Sequence, residues 1–171
     1  FKVSSLSQIW FPEVITSIPK EKISSAISFV IPFPSSDAFS PLIIEKIKKH
    51  NIIIFPEGTT SDGNRVLEFK SSSFSSVENQ SFIIQPIVIV YSDLNGIPIN
   101  RWLRPMIAWY GDMDLKPHLS KLVGLMSIKA KQIYLEPVNT QNFVNRKDLS
   151  NYLEDRIRKV YSSALSKKLA K

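Results

Sequence analysis

The sequence predicts an α/β domain with a mixed, largely parallel sheet flanked by helices. Three observations point there. Two apolar runs of strand length stand out, Ile52–Phe55 and Phe82–Tyr91, and the first, β-branched and bounded by polar residues, suits a strand covered on both faces. A strand-like segment, a lysine-ended amphipathic segment and the Ile52 run follow one another closely, as in a parallel crossover. The C-terminal part then carries a long helical stripe. A chain of 171 residues is long enough for one core. The expected layout is an arm at 1–25, a domain at 26–165 and a basic tail at 166–171.

Taken in order, the arm holds Ile9-Trp10-Phe11 and Val14-Ile15, interrupted by Pro12 and Pro19. It reads either as a packed arm or as a membrane-facing surface. Ala26 to Ile31 reads as a strand ended by Pro32 and Pro34. Ser40-Pro41 opens a helix, with serine suited to the cap and proline to the first turn. Leu42, Ile43, Ile44 and Ile47 give that helix an apolar face. Lys46, Lys48 and Lys49 favour its C-terminal end, where the helix dipole is negative. Ile52–Phe55 is the next strand, stopped by Pro56, which has no N–H for a ladder.

Phe82–Tyr91 is the second strong strand, with a bulge or a start at Pro86. Asn95-Gly96 marks a turn. Arg101, Trp102 and Arg104 form a basic–aromatic patch. It reads as a solvated face anchored by Trp102, or as a contact for lipid headgroups or coenzyme A phosphates. Asp114 caps a helix to about Met126, and Ile128–Pro137 alternates like a half-wet strand. Asp148–Leu165 places Leu149, Leu153, Ile157, Val160, Tyr161 and Ala164 on one helical stripe.

Between the two strong strands lies a polar loop, EGTTSDGNR. A strand that delivers a Gly/Thr/Ser loop at its end is a common way for an α/β sheet to present a ligand site. Its backbone N–H groups and hydroxyls suit a phosphate, with Arg65 as a fork and Lys70 as a point charge. Glu57 would repel such an anion, so its expected role is to hold an arginine or to bond an acceptor hydroxyl. If Glu57 and Arg65 stand at a water-accessible mouth, alanine at either should cost within about 0.5 kcal/mol; if they are a buried pair clamping the loop, breaking it should cost about 3–5 kcal/mol.

Composition narrows the classes. Net charge is +7, from 22 Lys+Arg against 15 Asp+Glu, which favours anionic partners. The absence of cysteine excludes disulfides and thiolate chemistry. No His/Asp/Glu cluster has metal-ligand spacing, and there is no Gly-x-Ser-x-Gly elbow for a serine nucleophile. Zinc-finger spacing and aromatic–basic sheet motifs for nucleic acid are also missing. No stretch approaches the ~20 apolar residues that span a bilayer.

The block FPEGTTSDGNRVLEFKSSSF (Phe55–Phe74), followed by Ile84-Gln85-Pro86-Ile87, Leu103-Arg104-Pro105 and Trp109-Tyr110-Gly111-Asp112-Met113-Asp114, closely resembles the glycerolipid acyltransferases. That is the lysophosphatidic acid (1-acyl-glycerol-3-phosphate) acyltransferase family, in its bacterial form. The resemblance covers roughly residues 40–165 and implies a glycerol-phosphate acyltransferase-like fold. It also implies acyl transfer from acyl-coenzyme A or acyl carrier protein to a lysophospholipid hydroxyl, giving phosphatidic acid, with no other cofactor. Phe55, Pro56, Glu57, Gly58 and Thr59 would then shape the acceptor site, with Arg65 and Lys70 near the phosphate. The implied partners are lysophospholipid, acyl thioester and an anionic membrane surface. The implied location is peripheral, on the cytoplasmic face of the inner membrane.

One part of the family pattern is missing. These enzymes carry His-x-x-x-x-Asp upstream of the strand–loop, where histidine is the general base on the acceptor hydroxyl. Five residues beyond His50 stands Phe55, and five beyond His118 stands Val123. His50 is expected to face solvent or to cap its lysine-rich helix, and His118 to lie on the surface. The expectation is a chain lacking the N-terminal segment of a complete enzyme, or degenerate there. A non-catalytic phospholipid-binding remnant is the first alternative, and a basic nucleic-acid-binding module the second.

Overall fold

A computed structural model describes residues 29–30, 52–125 and 127–166. The arm, the expected helix at 41–49, His50, Met126 and the tail beyond Ser166 lie outside these residues. The chain divides into two compact units, Phe1–Phe55 and Pro56–Lys171. In the first, β1 (Phe29–Val30) pairs in parallel with β2 (Ile52–Ile53), Phe29 opposite Ile52.

In the second unit the described strands are antiparallel. The order is β3 (Ile83–Ile84), β4 (Ile87–Leu94), β5 (Ile97–Pro98), β6 (Ile128–Tyr134) and β7 (Val138–Asn139). β4 is the centre of a three-stranded sheet between β5 and β6, and β3 pairs with β7. Three α-helices follow the same chain order: α1 (Arg104–Ile107), α2 (Leu115–Val123) and α3 (Arg146–Ser166). Short 3-10 helices span Ser71–Val77 and Thr140–Asn142. The architecture is mixed α/β. Among the described residues, however, the β1–β2 pair is the only parallel one.

The local reasons are legible. Pro86 divides the apolar run 82–91 into β3 and β4, because it cannot donate to a ladder. Its carbonyl instead accepts from the Leu135 N–H at 3.0 Å, and the Gln85 amide donates to the Leu135 carbonyl at 2.5 Å. Asn95 and Gly96 both take positive φ, 53° and 83°, the two-residue turn that matches hairpin twist. It joins β4 to β5. α3 starts at Arg146 rather than Asp148, since the Asn145 side chain caps it by accepting from the Lys147 and Asp148 N–H groups at 2.9 and 3.0 Å. α2 stops at Val123, before the expected Met126, and Asp114 at its start makes no side-chain cap bond.

Two apolar clusters hold this unit. Val88 and Val90 of β4, with Leu135, pack under Ile133 and under Ile157, Val160, Tyr161, Ala164 and Leu165, mostly from α3. Leu94, Ile99 and Ile107 pack with Tyr91, Leu103, Leu122, Leu125 and Ile128. The first cluster contains most of the stripe read from the sequence; the stripe's N-terminal members, Leu149 and Leu153, are also buried. β4 has only one face covered. Val88 and Val90 are buried, while Ile87 and Ile89 are exposed.

Several expectations are corrected. The Ile52 run is not a strand buried on both faces. Only Ile52–Ile53 is strand, and Ile53, Ile54 and Phe55 are exposed, as expected where a strand has one paired neighbour among the described residues. Trp102 is not a packing anchor but 78% exposed, because the turn that holds it directs Leu103, Arg104 and Ile107 inward instead. Arg104 is not solvated; it is 8% exposed. His118 is not on the surface either. It is 6% exposed, with Nε2 3.2 Å from the Ile107 carbonyl oxygen, because α2 turns that side toward α1.

Candidate functional site

The segment Pro56–Lys70 folds into a closed loop. Its ends are tied by the Lys70 N–H donating to the Pro56 carbonyl at 2.8 Å. Across the loop, the Leu67 N–H donates to Glu57 Oε2 at 2.7 Å. Glu57 therefore satisfies loop backbone, a role the sequence reading did not assign it. Partial burial raises its pKa above the ordinary value of 4.5, opposed by the Leu67 hydrogen bond and the positive charge of Arg158.

The tip of the loop is an ordered turn. The Asn64 N–H and its side-chain amide donate to the two oxygens of Asp62 at 3.0 and 2.8 Å. These bonds hold the Asp62 carboxyl below its ordinary pKa. Gly58 and Gly63 take positive φ, 64° and 72°, which glycine adopts without Cβ strain. A Cβ at Gly63 would stand 3.2 Å from Arg104 Cγ.

Residues distant in sequence hold this turn. Arg104 Nη1 donates to Asn64 Oδ1 at 2.7 Å, and the Asn64 amide donates to the Arg101 carbonyl at 3.2 Å. The Tyr161 hydroxyl donates to the Gly63 carbonyl. On α3, Arg158 pairs with Glu154 at 2.7 Å and also donates to the Val66 carbonyl at 3.3 Å. Glu154 in turn accepts from the Phe69 N–H at 2.8 Å. A cavity of about 380 Å3 opens beside the loop, lined by Asn64, Arg65, Val66, Leu67, Glu68, Arg158 and Ser162.

The expected site residues thus separate into groups. Arg65 is exposed and lines the cavity. Pro56, Glu57 and Lys70 close the loop at its base. Gly58 supplies a left-handed turn, and Thr59 is exposed. Phe55, 58% exposed, belongs to the N-terminal unit. Sequence reasoning missed Asp62, Asn64, Glu154, Arg158 and Ser162. Only Glu154 and Arg158 left a signal, an i,i+4 acid–base pair on a helix. Among the described residues no group of three His, Asp or Glu side chains could hold a metal ion.

With this geometry in view, comparison with known proteins defines the class. Residues 42–90 match the family model described as Acyltransferase, and the chain is a member of that family. Similar proteins are lyso-ornithine lipid O-acyltransferases of Rhizobium meliloti (38% identical over 121 residues, 67% of this chain and 41% of the relative) and Brucella abortus (36% over 121 residues, 67% and 45%). That of Pseudomonas aeruginosa is 31% identical over 108 residues, 63% of this chain and 39% of the relative. The chain spans less than half the length of these relatives. No solved structure matches it.

Proposed function

We propose that this chain is the acceptor-binding part of a lysolipid O-acyltransferase. In that reaction a lysolipid hydroxyl oxygen attacks the thioester carbonyl of acyl-coenzyme A or acyl carrier protein. The thiolate leaves, a base takes the hydroxyl proton, and an ester forms. The observation that carries the reading is the cavity beside the Phe-Pro-Glu-Gly-Thr loop, where Arg65 and Arg158 stand with Glu68.

An ornithine headgroup bears a carboxylate and an ammonium, so it needs a cation and an anion within one small site. The Arg65 fork suits the carboxylate, and Glu68 suits the ammonium. Lyso-ornithine lipid, the acceptor in the names of the relatives, is accordingly the preferred acceptor. The second reading is 1-acyl-glycerol-3-phosphate, with phosphatidic acid as product and Arg65 and Lys70 on the phosphate. Its support is the resemblance of the FPEGT block together with the positive net charge. In either reading the chain works at the cytoplasmic, anionic surface of the inner membrane, within a glycerol-phosphate acyltransferase-like fold that has a largely parallel sheet. No helix among the described residues is long and apolar enough to cross a membrane.

The general base is not assigned to His118, whose Nε2 faces a backbone carbonyl inside the protein. Titration with lyso-ornithine lipid, 1-acyl-glycerol-3-phosphate and a neutral monoacylglycerol tests the proposal. Binding should favour the first. Arg65→Ala should weaken it by about 10- to 150-fold, the value of one charge-assisted hydrogen bond. Equal binding of the neutral lipid, or tighter binding of DNA, would overturn the reading.

A further inference from the structure

Beside the loop lies a surface that the headgroup site does not use. Asn100 Oδ1 accepts from the Trp102 and Leu103 N–H groups at 2.9 and 3.0 Å, so the turn into α1 is ordered. The backbone stays helical through it, with the Arg104 N–H donating to the Asn100 carbonyl at 3.2 Å and the Ala108 N–H to the Arg104 carbonyl at 3.1 Å. Trp102 and Met106, four residues apart along this run, therefore share one side. Both are exposed, Trp102 by 78% and Met106 by 58%, while Leu103, Arg104 and Ile107 pack inward. The guanidinium of Arg101 lies 5.5 Å from the Trp102 ring centroid. A rigid turn thus holds a large aromatic ring, a flexible apolar side chain and a cation out toward solvent.

Single exposed apolar residues are ordinary. This set differs in chemistry and in place. Tryptophan and arginine together match the headgroup level of a bilayer, where an amphipathic ring sits and an arginine reaches phosphate. The same turn is bonded to the candidate site: the Arg101 carbonyl accepts from Asn64, and buried Arg104 reaches Asn64 Oδ1. A membrane seated on Trp102 would therefore lie next to the loop that takes the lipid.

We infer that Arg101, Trp102 and Met106 form the seat of this unit on an anionic phospholipid bilayer, setting the Asn64–Arg65 tip at the depth of the headgroups. The inference rests on the lysolipid reading for its purpose. Its evidence, exposure and the Arg–Trp stack, is separate. Charge complementarity selects the occupant, because a basic chain with an outward arginine favours an anionic surface over a neutral one.

The test is partitioning of the full chain onto vesicles of phosphatidylcholine with or without phosphatidylglycerol. Wild type should favour the anionic vesicles, and less so as salt rises. Trp102→Ala should lower partitioning by about tenfold, the scale of burying a large apolar side chain. Arg101→Glu should lower it by at least about fivefold and flatten the salt dependence. Val144→Ala, at a site 90% exposed, should leave it unchanged. Lipids brominated on their acyl chains should quench a component of the wild-type fluorescence that disappears in Trp102→Phe.

Unchanged partitioning of Trp102→Ala, or an equal loss in Val144→Ala, would overturn the inference. Lipid-free self-association abolished by Trp102→Ala would also overturn it, giving the patch to a second copy of the chain. A wild type that does not partition would overturn it as well. Headgroup binding by Arg65, measured with monomeric lysolipid in solution, would still stand or fall separately.

Discussion

At the scale of single residues, Glu57 shows how a structural partner changes an expected role. The sequence left it either at a wet mouth, replaceable at small cost, or in a buried pair with Arg65, whereas in the structure its carboxylate accepts from the Leu67 N–H. Glu57→Ala should therefore cost about 1–3 kcal/mol, the range for stranding a partly buried donor, measurable by urea denaturation. Its pKa is raised in the folded state, so the folded protein holds this proton more tightly than the unfolded chain. The contribution to stability is full below the ordinary value of 4.5 and is lost as pH rises through the raised folded value. Glu57→Gln retains an acceptor for Leu67 and should remove this part of the pH slope. Denaturation midpoints taken from acid to neutral pH check it; an unaltered slope would show that Glu57 does not titrate in the window.

Two glycines separate backbone strain from contact. Gly96 has φ 83° with nothing within 4 Å of an added Cβ, whereas Gly63 has φ 72° and Arg104 Cγ at 3.2 Å. Gly96→Ala should cost about 1 kcal/mol through backbone conformation alone. Gly63→Ala should cost more, because the Arg104 stem must also shift and its bond to Asn64 depends on that position. Thermal melts of the two variants compare them directly. Equal losses would mean that Arg104 gives way freely.

At the scale of elements, α3 is both the cover of the sheet and part of the site. One side delivers Ile157, Val160, Tyr161 and Ala164 to the β4 cluster. From the same helix, Glu154 and Arg158 bond the backbone of Phe69 and Val66. Leu153 is 2% exposed, and Leu153→Ala should cost about 2–5 kcal/mol as a large-to-small core change. Arg158→Ala should leave the core intact and cost little in denaturation, yet alter headgroup binding at the cavity it lines. A loss of stability in Arg158→Ala as large as that in Leu153→Ala would place Arg158 in the core rather than at the site.

At the scale of the whole molecule, the unit Pro56–Lys171 contains both described apolar clusters. Expressed alone, residues 56–171 should melt cooperatively, as a piece with its own core does. A broad melt without a transition would show that residues 1–55 are required for that core. Without a His-x-x-x-x-Asp motif in its 171 residues, acyl transfer by the chain should fall roughly 10²–10⁴-fold below a relative that carries the motif. A direct assay on lysolipid measures this, and ordinary turnover would reveal another base.

The sequence by itself determined what depends on near neighbours. Pro86 broke the apolar run, Asn95-Gly96 made the hairpin turn, and the 148–165 stripe gave the helix that covers the sheet, because proline, positive φ and helical period act over a few residues. The FPEGTTSDGNR block carried the family for the same reason: its information lies in one contiguous stretch. Only the tertiary structure decided which polar groups are buried and what satisfies them. Arg104 reaches Asn64 across 40 residues of sequence, and Tyr161 reaches Gly63 across 98. Trp102 faces out and His118 in by the packing of α1 and α2, against the readings of Trp102 as a packing anchor and of His118 as a surface residue. Burying a charge is costly without a partner, and folding, not local pattern, brings that partner into reach.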